Sequence, residues 1–206
     1  MRLLHCALAI MLLLAVPSLA DAAAPIGQVM AVKGSLFREA AGKREPLAAG
    51  APVFALDTIV AEGDGKGKIL LNDGSIVSVG ENGRVTIAEY QGAGNRLTTR
   101  LNAQAGSIRL FVHQLLPGAH FEVETETAVA AVRGTDWLVE VTPEQTSIAL
   151  LQGVVAVHGK GAASSSEVVL QTPGDGTDIK RGEAPTAAKT WGAQRLATTL
   201  ARASFD

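Results

Sequence analysis

The residues with the greatest chemical reach are few. Four histidines occur, at positions 5, 113, 120 and 158, and there is one cysteine, Cys6. His113 and His120 flank a Leu115-Leu116-Pro117-Gly118 turn. In a hairpin they would face each other, and His158 would have to join them to complete a three-histidine zinc site. Nothing in the spacing enforces that closure, so strand-end or surface histidines are expected and no metal is assigned. Glu122, Glu124 and Glu126 share one face of an alternating stretch. Such a row either binds a cation or a basic partner, or is a solvated face balanced by nearby Arg96, Arg100 and Arg109; the balanced face is expected. Asp73-Gly74-Ser75 and Asp175-Gly176-Thr177-Asp178 are fragments of a calcium loop but complete no such series. No serine lies in a nucleophile elbow, and Gly63, Gly65 and Gly67 do not open a helix as phosphate-binding glycines do. No catalytic residue and no cofactor are assigned, and the chain is expected not to be an enzyme.

Composition narrows the classes further. The chain has 206 residues, 47% hydrophobic, 18% charged and 4% aromatic, with a formal net charge of -2. A balance so near neutral supplies no field for nucleic acid, so none is expected as a partner. The apolar fraction is too high for a disordered chain. Part of it lies at the front. Arg2 precedes an apolar run from Leu3 to Val16, then Pro17-Ser18 and the small-residue sites Ser18-Leu19-Ala20 and Ala20-Asp21-Ala22. That is the pattern of a secretory signal peptide over residues 1-22, cleaved after Ala20 or Ala22. The run is shorter than the roughly 20 residues that span a bilayer. Cleavage would discard Cys6 and leave no stable membrane anchor, so a periplasmic or secreted location is expected.

The elements that must position any site read as strands and turns. Between residues 25 and 183, short runs rich in Val, Ile, Leu and Thr alternate with glycine-bearing turns. Lys33-Gly34, Gly63-Asp64-Gly65 and Ala105-Gly106 read as turns between short strands. Asp73-Gly74 and Asn82-Gly83 are strong hairpin signals. Phe121 to Thr127 alternates strictly, and Trp137, Val139 and Val141 share a face. Many short strands with no interleaved helices predict an all-β fold, jelly-roll-like or a β-sandwich. Gly159 to Glu167 reads as a flexible loop. Beyond, residues 184-206 form a tail in which Trp191, Leu196, Leu200 and Ala203 lie on one face of an amphipathic helix expected over 187-203. Packing of that helix on the β-domain is favoured over display to a partner.

One block is unusual. Ala128 to Val132 is small and apolar, and Arg133-Gly134-Thr135-Asp136-Trp137 follows. Gly134 permits a bend. Arg133 beside that bend would need a partner such as Asp136 or Glu140. These five residues are the candidate motif, in a structural or an interaction role.

With its flanking strands, this block resembles the FecR domain family, over about Thr58 to His158. The resemblance is carried by Phe121 to Thr125, Ala131 to Thr135, Leu138 to Val141, Thr146 to Leu151 and Gly153 to Val157, with Leu70 to Ser75 and Gly106 to Arg109 upstream. It implies a non-enzymatic all-β module of the cell envelope. Full-length members cross the inner membrane and relay receptor occupancy in iron uptake to a sigma factor. For this chain the expectation is a stand-alone extracytoplasmic module that binds a protein partner of the cell envelope, for example through strand addition at an exposed edge. A carbohydrate or cell-wall binding sandwich is the alternative; its stacking platform would draw on Tyr90, Trp137 or Trp191.

Overall fold

The computed structural model describes residues 23–161 and 165–205. The expected leader over residues 1-22, with His5 and Cys6, and the middle of the Gly159 to Glu167 loop lie outside the described residues. In chain order the strands are β1 (Gly27–Ala40), β2 (Lys43–Pro46), β3 (Pro52–Val53), β4 (Thr58–Leu71), β5 (Ile76–Val79), β6 (Arg84–Gln91), β7 (Thr98–Phe111), β8 (His120–Glu124), β9 (Ala128–Val132), β10 (Asp136–Val141), β11 (Gln145–Gln152), β12 (Val155–Gly159), β13 (Glu167–Leu170), β14 (Asp175–Lys180) and β15 (Lys189–Thr190). Helix α1 (Ala193–Ala203) follows. The fold is all-β with a C-terminal helix, as the sequence predicts.

Three of the expected turns are not turns. β1, β4 and β7 each run 14 residues straight through Gly34, Gly63 and Gly106. At those glycines φ is 63°, 58° and 80°. A residue in that region bends a strand without ending its ladder, and glycine adopts it without a Cβ penalty. The β1–β4 register accordingly shifts between Lys33 and Ser35 and resumes.

Each bent strand belongs to two layers. In the first layer the neighbours run β2, the second half of β1, the first half of β4, β6, the first half of β7, β8, β9, β12 and β13. In the second they run β3, the first half of β1, the second half of β4, β5, the second half of β7, β10, β11, β14 and β15. The core lies between them. Leu101, Phe121 and Val123 of the first layer and Trp137, Val139 and Ile148 of the second belong to one apolar cluster. Strand alternation then sends every second residue to an outer face.

Asp73-Gly74 closes the β4–β5 hairpin as expected, with Leu70 opposite Ile76. Asn82-Gly83 does not make a hairpin. β5 and β6 each pair with β4 and β7 but not with each other, so this connection carries the chain from the second layer to the first. β8 returns parallel to the first half of β7, with Thr98 opposite His120. β8 ends at Glu124, but the expected alternation continues beyond it, with Thr125 and Thr127 buried and Glu126 exposed. Thr125 Oγ1 accepts the Thr127 and Ala128 N–H groups at 3.2 and 2.9 Å, which turns the chain into β9.

The helix begins at residue 193 rather than 187, because Lys189 and Thr190 pair with β14. Its predicted apolar face does pack inward: Trp191, Leu196, Leu200 and Ala203 cluster with Leu138 and Ala149 on the outer face of the second layer. No described helix is long and apolar enough to cross a membrane.

Candidate functional site

The Arg133-Gly134-Thr135 segment is the corner that carries the chain from β9 in the first layer to β10 in the second. Thr135 anchors it. Its N–H donates to Val112 O at 3.1 Å, its carbonyl accepts from Val112 N at 2.8 Å, and its buried hydroxyl donates to Val154 O at 2.9 Å. Gly134 has φ 81°, and a Cβ there would stand 3.1 Å from Gln114 Cα. Across the corner, a Cβ on Gly153 would fall 2.6 Å from the Gly134 carbonyl oxygen. Trp137 is 0% exposed in the core. Three of the five motif residues therefore build the corner itself.

The two charged members separate. Asp136 faces outward on the second layer and takes a two-pronged pair from Arg109, at 3.0 Å through Nε and 2.8 Å through Nη2. Glu140, the other partner expected for Arg133, is held by Arg202 at 2.7 Å. Arg133 instead faces outward on the first layer and is exposed. The corner between Arg133 and Asp136 puts the two residues on opposite sides of the molecule, so sequence proximity misleads. Of the ten described arginines, eight are ion-paired to described residues; Arg96 and Arg133 are not.

Arg133 stands at the rim of a groove of about 540 Å³ on the outer face of β8, β9 and β12. Ala131 and Ala156, opposite each other in register, form its floor. Val154, 49% exposed, forms one wall, and His120 and Glu122 stand opposite. The register row that crosses the floor runs Arg100, Glu122, Ala131, Ala156 and Val169, and Val169 is 42% exposed. An outward face of alanine and valine, bordered by charge, is the kind of apolar patch that marks contact with another molecule.

The glutamate row is a balanced face. Arg100 lies 2.9 Å from Glu89, 3.5 Å from Glu122 and 3.4 Å from Glu124. Lys160 pairs with Glu124 at 3.1 Å, and Arg181 pairs with Glu126. The hydrogen bond from the Arg181 guanidinium holds the Glu126 carboxyl below its ordinary range. Of the three cations the sequence offered, Arg100 alone serves this row.

The histidines lie on separate elements and do not face each other. His158 pairs with Glu167 at 3.1 Å across β12 and β13. His120 sits at the groove rim, and His113 lies against the Gly74 turn. Ser75, Asp73 and His113 are neighbours, but Ser75 is fully buried and bonds Asp73 through its hydroxyl while His113 reaches it only through the backbone N–H. A serine so placed presents no nucleophile to a substrate. Among the described residues, no group of three or more His, Cys, Asp or Glu is placed to hold a metal ion.

The opposite outer face is closed. Trp191, 4% exposed, lies against Gly176, where a side chain would collide with the indole. Arg195 stacks 3.6 Å from the Trp191 ring centre and pairs with Asp178 at 2.5 Å. At the far end of the helix, buried Lys66 donates to the carbonyls of Ala201 and Ser204, the latter at 3.0 Å. A cation on the last carbonyls satisfies acceptors the helix cannot and complements its dipole. Both tryptophans are thus enclosed, and Tyr90 packs against the core. The rings offered for sugar stacking form no exposed platform.

A two-layered all-β module with one covered and one open outer face is the class this geometry defines. Residues 57–156, just under half of the chain, match the FecR protein family. The match contains the corner, the groove and both of its alanines. The fold is similar to two crystal structures of an anti-sigma factor candidate from Parabacteroides distasonis, each at 18% identity and a TM-score of 0.57. The alignment covers 69% of this chain and 64% and 63% of those chains, so this chain spans less than two thirds of their length. No curated protein matches this chain.

Proposed function

We propose that the protein is a non-enzymatic interaction module of cell-envelope signalling, working in the periplasm or outside the cell after loss of residues 1-22. One observation carries this reading: within the FecR segment, the outer face of β8, β9 and β12 presents an apolar groove with Arg133 at its rim, while the opposite face is closed by the chain's own helix. Closing one face and leaving the other bare suits a part held by another protein. The leader pattern supports export, and the name of the structural neighbour supports a regulatory setting.

The test compares residues 23–206 with the same chain carrying Ala131→Glu, each immobilised and challenged with envelope extract from the native host. The wild type should retain a stoichiometric partner that the variant loses, with unchanged thermal unfolding of the variant. Equal retention by both would remove the groove from the function.

A further inference from the structure

The groove also carries information about its occupant. This step rests on the docking reading above and specifies the chemistry of the partner. We propose that the groove receives an extended segment of a partner protein in which an acidic residue and an apolar residue are two positions apart.

Charge left over at the rim selects the occupant. Glu122, the carboxylate at the rim, is already engaged by Arg100 at 3.5 Å, as are Glu89 and Glu124 nearby. An incoming lysine or arginine would find no unclaimed carboxylate there. An incoming carboxylate would find Arg133, exposed and without an ion pair among the described residues, with His120 beside it at the rim. A guanidinium presents a planar fork that accepts a carboxylate through two parallel hydrogen bonds. The floor next to it is Ala131 and Ala156 with Val154 at the wall, and its volume of about 540 Å³ accepts an aliphatic side chain. In an extended peptide, residues two apart point to the same side. One carboxylate and one aliphatic group at that spacing would meet Arg133 and the alanine floor together. A polyanion such as nucleic acid fits poorly, because Arg133 is the one guanidinium among the groove's described lining residues and the chain carries a net charge of -2.

The experiment titrates isotope-labelled residues 23–206 with three blocked pentapeptides, Ser-Glu-Ser-Leu-Ser and its Gln and Lys counterparts, and follows backbone amide shifts. The Glu peptide should perturb residues 131–134 and 153–156. Its affinity should fall at least about fivefold with Gln in place of Glu, with Arg133→Gln in the protein, and with added salt. Arg133 is exposed, so the Arg133→Gln spectrum should otherwise match the wild type. Any of three results would overturn the proposal: Lys peptide binding as tight as Glu, no peptide shifting the groove, or Arg133→Gln leaving the affinity unchanged. A single-stranded oligonucleotide shifting the groove more strongly than the Glu peptide would overturn it in favour of a polyanion. If Ala131→Glu still abolishes partner capture while the peptide series is flat, the docking face stands and the partner chemistry falls.

Discussion

The two outer faces of this sandwich are built from the same long strands yet end differently. On the second layer, Leu138 and Ala149 lie under α1, and Arg109, Lys66, Arg195 and Arg202 tie the helix and its flanks to the strands beneath. On the first layer, the equivalent outward positions are Ala131, Ala156, Val154 and Val169, and no described helix covers them. The cover comes from residues after 156, outside the FecR segment, whereas the bare face lies within it. Burial is therefore not a measure of apolar content here. What separates the faces is whether the chain supplies its own lid, and the unlidded face is where another molecule has something to gain by binding.

That contrast can be broken from the covered side first. Trp191→Ala should have the largest effect, about 3–5 kcal/mol lost in denaturant unfolding, because it empties the space over Gly176 and frees Arg195 from its ring. A loss below about 1 kcal/mol would mean that the helix is not a structural lid. Gly106→Ala strikes the bend that both layers share. Its Cβ would sit 2.5 Å from the Asn82 carbonyl group at φ 80°, and a loss of about 2 kcal/mol is expected, again by denaturant unfolding.

A pH titration sharpens the same comparison. Burial raises the proton affinity of Asp178, but hydrogen bonds from Arg195 and Ser147 outweigh it and hold the carboxyl below its ordinary range. The depressed group stabilises the fold above its unfolded pKa of about 3.9, and that contribution is lost as pH falls through the lower, folded value. Thermal unfolding below about pH 4 should therefore be less pH-dependent in Asp178→Asn than in the wild type. The smallest effect belongs to the open face. Arg133→Ala should change stability by less than about 0.5 kcal/mol, since the residue is exposed and ion-paired to no described residue. A larger loss would show that Arg133 supports the corner instead of meeting a partner.

Much of this was legible in the residues. The strand period from Phe121 to Thr127 and from Trp137 to Val141 is determined by alternation, and the helix face by the spacing of Leu196, Leu200 and Ala203, with Trp191 just ahead of the helix. The bends were not legible. Gly34, Gly63 and Gly106 carry the same signal whether a chain reverses or continues through a bulge, and only distant strands decide which. The motif was found by its composition, but its division was not. Arg133 and Asp136 are three apart in sequence and on opposite faces in space, and the cation that answers Asp136 comes from β7. No short-range pattern announces Arg109 as that partner, nor Lys66 as the cap of a helix more than a hundred residues downstream.

The three shared strands also govern time. Because β1, β4 and β7 serve both layers, neither layer can be completed before the other has begun. Folds dominated by such distant pairings form in milliseconds to seconds, far more slowly than helical bundles. Half of this molecule has no independent existence as a folding unit. The open face is built on the first half of β7, and the second half of that strand belongs to the other layer, so the groove is tied to the assembly of both.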